Sequence, residues 1–188
     1  MNSIEDLFLH IKLEFDLDLV KIKVIKPLCE LEYAGITIKP ANPGETIEVP
    51  RIIAEILLKD GYCEIAQQEI TLDSLNKIIF AEEKSKDLKK LDPYFYQKAK
   101  WILSLMQKGY LKTSEHDIRR YKQLLLDLEE RRLRKILTLI PLKEVPEDII
   151  GRLTVEEKNL YELLANITTK WRTNLINGGE INNEQRPA

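Results

Sequence analysis

The chain has 188 residues, enough for one medium domain or two small ones, and its 29 Lys and Arg stand against 31 Asp and Glu. With the charges nearly cancelling, no global field draws it to nucleic acid or to a membrane surface, so any such attraction must be local. No apolar run approaches the roughly twenty residues of a membrane span, and Glu5 and Asp6 stand where a signal peptide carries positive charge, which predicts a cytoplasmic protein.

Residues Leu9 to Leu19 alternate: Leu9, Ile11, Leu13, Phe15, Leu17 and Leu19 are apolar, against His10, Lys12, Glu14, Asp16 and Asp18. This is the period of a half-buried strand. At Val20 the phase inverts, with Val20, Ile22 and Val24 apolar, so a bulge or tight turn is predicted near Leu19 and Val20. A short strand follows at Gly35 to Lys39, then a turn cluster of Pro40, Asn42, Pro43 and Gly44. Thr46 to Val49 read as a strand, Pro50 as the first helical residue and Gly61 as the helix stop, with a further strand to Ile65. Within that helix Ile52, Ile53, Ile56 and Leu57 are predicted to face the sheet.

After Thr71 the spacing becomes helical. Leu72, Leu75, Ile78 and Ile79 form one stripe, and the charged run AEEKSKDLKKLD reads as a solvated helix end or hinge. Asp92 and Pro93 open a helix through Trp101, Leu105 and Met106 that Gly109 closes. Ser114 and Asp117 start a longer helix running to Ile140, before Pro141 and Pro146 force a loop. Thr154 and Glu157 make a capping box for a last helix with the stripe Leu160, Leu164, Ile167, Trp171 and Leu175, ending at Asn177, Gly178 and Gly179. The fold class is therefore α+β. A small β-rich domain with one helix (1–69) precedes a larger all-α helical bundle (70–177), with few contacts expected across the join, and residues 178–188 are predicted to be a mobile tail.

Candidates for catalysis are few. Cys29 and Cys63 are far apart in sequence, and His10 and His116 fall in different modules, so neither a metal site nor a cofactor is predicted. There is no glycine-rich phosphate loop. Glu129 and Glu130 are helix neighbours facing different directions, and Glu156 and Glu157 suit the first turn of their helix. The expectation is a protein that is not an enzyme.

One basic cluster stands out: Arg131, Arg132, Arg134 and Lys135, with Arg119 and Arg120 three turns earlier on the same helix. A helix that contacts phosphates looks like this, and a stand-alone DNA-binding regulator using the helix around Arg131 is one reading. Interleaved Asp127, Glu129 and Glu130 favour the other, a salt-bridged or subunit-facing surface.

In order and spacing, the run IEVPRIIAEILLKDGYCEI, the Leu72 to Phe80 helix, the charged segment, PYFYQKAKWILSLM, the Arg-rich helix and RLTVEEKNLYELLANITTKWRTNL resemble GINS subunits with the small β domain first and the helical domain second. The junction Val49 to Leu57 and the LT-x-x-E with downstream RTNL at Leu153 to Leu175 carry most of the likeness, which runs from about Val20 to Leu175 and leaves Leu7 to Leu19 unassigned. The compact loops resemble archaeal members. The resemblance implies a non-catalytic replisome scaffold, located in the cytoplasm with the nucleoid. Its implied partners are a paralogous GINS subunit of reversed domain order in a two-plus-two heterotetramer, the MCM helicase, a RecJ- or Cdc-type protein, and primase or polymerase components. Contact with DNA would be indirect or weak, and with a membrane absent. Trp171, Arg172 and Leu175, with Arg131, Arg132 and Arg134, are the residues expected at a subunit interface, because Trp and Arg are enriched where interfaces concentrate their energy. Leu160 and Leu164 are expected to pack inside their own bundle.

Overall fold

The computed structural model describes residues 4–33, 35–142 and 144–176, so the predicted stop at Asn177 to Gly179 and the predicted tail lie outside the described residues. It begins with a helix, α1 (Ile4–Leu17), where a strand was expected. Alternation on a helix turns each second residue through about 200°, so it produces two opposed apolar stripes instead of one. Ile11 and Phe15 are buried in the core, whereas Leu9, Leu13 and Leu17 face outward. The phase inversion at Val20 marks the change from helix to strand, and no bulge is needed there.

Strand β1 (Leu19–Val24) pairs antiparallel with β4 (Thr46–Pro50) on one side and β5 (Cys63–Ile65) on the other. A second pair, β2 (Leu31–Tyr33) and β3 (Ile36–Ile38), lies between β1 and β4 in sequence. One register runs through both: Leu19 stands opposite Pro50, Leu28 bridges Ala41, and Tyr33 faces Ile36. The four strands are thus one long hairpin with an interruption at Pro27 and Pro43, which lack the N–H a ladder requires. At its tip Gly35 takes φ +80°, a conformation that a side chain disfavours.

Pro50 caps α2 (Arg51–Lys59) from outside the helix, and Gly61, at φ +70°, follows its end. The buried face of α2 is Arg51, Ile53, Ala54, Leu57 and Leu58. Ile52 and Ile56, expected inside, are exposed, because burying Arg51 with Ala54 and Leu58 turns the helix by about a third of a turn from the expected face.

The helical part consists of α3 (Leu72–Lys84), α4 (Phe95–Gln107), α5 (Glu115–Leu139), the single turn α6 (Glu147–Ile150) and α7 (Val155–Ile176). Ser114 accepts a hydrogen bond from the Asp117 amide at 3.1 Å, as a cap does. The charged stretch after Phe80 is a largely solvated helix end, as expected, with α3 stopping at Lys84, but Glu82, Leu88 and Leu91 within it are buried.

Few contacts were expected across the change of architecture near residue 70, and that expectation fails. A single hydrophobic cluster holds Val20, Ile22, Val49 and Leu57 together with Leu75, Phe95, Trp101 and Leu128. Arg51 lies between Phe15 of α1 and Trp101 of α4, its guanidinium carbon 4.5 and 4.7 Å from the two ring centres. The Trp101 indole N–H donates to Glu55 Oε1 at 2.8 Å. The Tyr94 hydroxyl donates to Glu14 Oε2 at 2.8 Å.

Candidate protein interaction surface

Along α5 the buried residues are Tyr121, Leu128, Arg132, Ile136 and Leu139, a stripe of three-, four- and seven-residue steps. Arg132 occupies a core position on that stripe. Nε donates to Glu157 Oε1 at 2.6 Å and Nη2 to Glu157 Oε2 at 2.7 Å, a two-pronged pair. Nη1 reaches Glu82 Oε2 at 3.0 Å and the Lys89 carbonyl at 2.8 Å, while Nη2 also reaches the Arg152 carbonyl at 3.1 Å. All five guanidinium hydrogens are used.

Both carboxylates bind further groups. Glu157 accepts from the Tyr96 hydroxyl at 2.9 Å and from the Thr154 amide at 3.0 Å, while its own amide donates to Thr154 Oγ1 at 3.3 Å, completing the expected capping box. Glu82 accepts from Lys135 Nζ at 2.6 Å and from the Lys89 amide at 3.1 Å. Burial alone would disfavour the charged guanidinium, but hydrogen bonding and charge from Glu157, then charge from Glu82, hold the Arg132 pKa above its ordinary value. Burial, followed by the charge of Glu157, pushes the Tyr96 phenol well up. The network therefore joins α3, α4, α5 and the first turn of α7.

Beyond that turn α7 keeps only one side on the body of the chain, through Tyr161, Leu164 and Ala165, and from Thr169 to Ile176 every residue is exposed. Among its described side chains only Glu157 is fully buried. Leu160, Ile167, Trp171 and Leu175 project from one face, with Trp171 60% and Leu175 63% exposed. Leu164 is half-buried, and Leu163 adds to the exposed side. At its inner end the stripe meets a cleft of about 350 Å³ between α4, α5 and α7, lined by Tyr96, Lys100, Leu133, Ile136, Glu156 and Leu160 among others. Both Glu156 oxygens are shielded from solvent without a hydrogen-bond partner. Burial raises the Glu156 carboxyl pKa, with its own amide and the nearby Thr154 and Gln97 opposing.

The basic cluster separates into different environments. Arg132 is correctly read as salt-bridged but cannot be subunit-facing, since it is fully buried and saturated within its own chain. Arg131 is partly exposed, 3.9 Å from Glu83, and the exposed Arg134 pairs with Glu130 one turn away. Arg172 is exposed beside Trp171. The stripe Leu128, Arg132, Ile136 was the available signal for Arg132: an arginine at an apolar position of the repeat requires buried acids, and Glu82 and Glu157 are those acids. Among the described residues no group of three His, Cys, Asp or Glu is placed to hold a metal ion. None of the helices described is long and apolar enough to cross a membrane.

A bundle whose last helix is clamped at its base and carries an uncovered apolar face defines a class of protein that assembles with other chains. Residues 68–176, more than half of the chain, match the Sld5 family, described as the GINS complex protein helical bundle domain; the chain belongs to this family, and hence to the subunits of the GINS complex in DNA replication. No curated protein matches it.

Proposed function

We propose that the chain is a non-catalytic structural subunit of GINS, of archaeal type, that scaffolds the replicative helicase, MCM with a RecJ- or Cdc-type protein, at the fork. Its immediate partner is a GINS subunit of reversed domain order, in a two-plus-two assembly that also tethers primase or polymerase components. The observation that supports this reading is the stripe from Leu160 to Leu175. Four turns of apolar surface ending in an exposed Trp beside Arg172 form a surface that water penalises and a partner relieves.

Trp171→Ala tests it. Because Trp171 touches little of its own chain, the variant keeps its melting temperature but loses affinity for the paralogous subunit by about thirtyfold or more, an interface hot spot's contribution of about 2 kcal/mol. Co-elution of purified subunits reads the affinity and a thermal melt reads the fold. Normal assembly would show that the subunits meet elsewhere.

The other reading, a stand-alone DNA-binding regulator, loses support from the burial of Arg132, which leaves Arg131 and Arg134 as the groove-facing candidates of its cluster. If they contact phosphates, replacing both with Ala reduces the salt slope of DNA binding by about 2 and leaves assembly intact. We expect no change in slope.

A further inference from the structure

Among the described residues strand β4 is an edge of its sheet, paired with β1 on one side and with no strand on the other. The direction of its backbone groups follows from the two ends of that ladder, where the Arg51 amide donates to the Asp18 carbonyl at 3.0 Å and the Val24 amide to the Glu45 carbonyl at 2.9 Å. In an antiparallel pair every second residue bonds across, so Ile47 and Val49 turn their N–H and C=O toward β1, and Thr46 and Glu48 turn theirs outward. Among the described residues neither the Thr46 nor the Glu48 amide has a backbone acceptor. Pro50 takes the next outward position, a place in an edge strand where a missing N–H removes no ladder bond.

A groove of about 430 Å³ lies against this edge. Ile47, Glu48 and Pro50 line one side of it, and Ile36, Ile38 and Pro40 line the other. The edge therefore lies in a concavity, and that decides the occupant. A second copy would bring the same concave edge, and two concave edges do not fit into each other. A helix has its backbone groups bonded within itself. A single extended chain offers N–H and C=O groups on one side about every 7 Å, the spacing from Thr46 to Glu48, with partial charges opposite to theirs. Glu48 does not guard the edge, because its side chain stands on the face of the sheet, 3.8 Å from Lys21 Nζ.

We propose that the outer edge of β4 binds an extended segment of a partner protein as an added strand, joined through the Thr46 and Glu48 backbone and stopped at Pro50. Few main-chain bonds hold it, so a free peptide binds only at millimolar concentration. The inference stands apart from the reading of α7, because it uses the β-rich part and needs no particular subunit.

The probe is the acetylated and amidated peptide LVKIKV, the sequence of β1, which β4 already accepts on its inner edge. Titrated into the full-length chain, it should slow the exchange of the Thr46 and Glu48 amides with heavy water by about half at half-saturation, since only the free edge exchanges, and leave Ile47 and Val49 unchanged. The same peptide N-methylated at every residue keeps its side chains but loses its donors, and should slow neither. Glu48→Pro repeats the arrangement at Pro50, so it should keep the melting temperature and abolish the slowing at Thr46, which Glu48→Gln should leave intact. No slowing with LVKIKV would overturn the proposal, and so would an equal effect of the methylated peptide, because side chains alone would then be read. Slowing confined to Ile65 on β5, at the other edge of the sheet, would also overturn it. The same holds for slowing that survives Glu48→Pro, and for slow exchange at Thr46 and Glu48 before peptide is added, which would mean that the edge is already covered.

Discussion

Two arginines lie fully inside this protein, and they are held by different means. Arg132, within the helical part, has every donor taken by carboxylates and carbonyls. Arg51, at the boundary between the β-rich and helical parts, is stacked between Phe15 and Trp101 and reaches acids through Nη2 alone, at 3.2 Å from Asp18 and 2.8 Å from Glu69. Its Nε and Nη1 have no partner. The first arrangement is a closed ionic clamp, costly to break because it strands charge. The second is mostly flat contact with ring faces, which tolerates adjustment of the boundary. A charge is used where helices must be fixed, and a stack where two architectures meet.

Breaking the clamp should have the largest effect. Arg132→Ala leaves Glu157 buried without its counter-charge and Glu82 with Lys135 alone, a loss of about 3–5 kcal/mol, or roughly 10 °C in melting temperature for a chain of this size. Glu157→Gln in the same chain should recover part of that, since it removes the stranded charge, and a double-mutant cycle of melts measures the coupling. A loss below about 1 kcal/mol would mean that the helices are held by apolar packing alone.

At the boundary the effect should be smaller and of another kind. Arg51→Ala removes two ring contacts and the charged bonds to Asp18 and Glu69, about 2 kcal/mol in a urea midpoint measurement. Arg51→Lys should not restore it, because an ammonium lacks the planar face that lies on Phe15 and Trp101. Restoration by Lys would show that charge, and not stacking, holds the boundary.

The smallest effect concerns the acid beside the clamp. Glu156 has a folded pKa raised by burial, so the fold favours its protonated form. The stabilisation from this group is complete below its unfolded pKa and fades as pH rises through the folded value. Glu156→Gln should therefore raise the melting temperature slightly at neutral pH, by less than about 1 kcal/mol of stability, with the gain disappearing in acid. A gain independent of pH would mean that ionisation is not the cause.

Much of the chain was legible because local rules and tertiary structure agreed. The Thr154 and Glu157 box, the Ser114 cap, the glycine stops at Gly61 and Gly109, and the strand at Thr46 all depend on residues within one turn of each other. Readings failed where a polar residue lay on the inside. Arg51 turned α2 away from its purely apolar face, and Glu82 is buried although most of the charged run around it is exposed. Hydropathy assigns both outward, and their partners are distant in sequence: Glu69, and Arg132 with Lys135.

By itself the sequence determined where most helices and strands start and stop, the order of β-rich and helical parts, and the stripe of α7, because caps, turns and periodicity act over a few residues. Only the tertiary structure decided that Leu9 to Leu17 belong to a helix and that Arg132 closes a clamp instead of facing a partner. It also decided that one core crosses the boundary near residue 70. A two-residue alternation suits a strand with one wet face as well as a helix with two dry ones, and a buried charge is stable only beside acids that the fold brings from far along the chain.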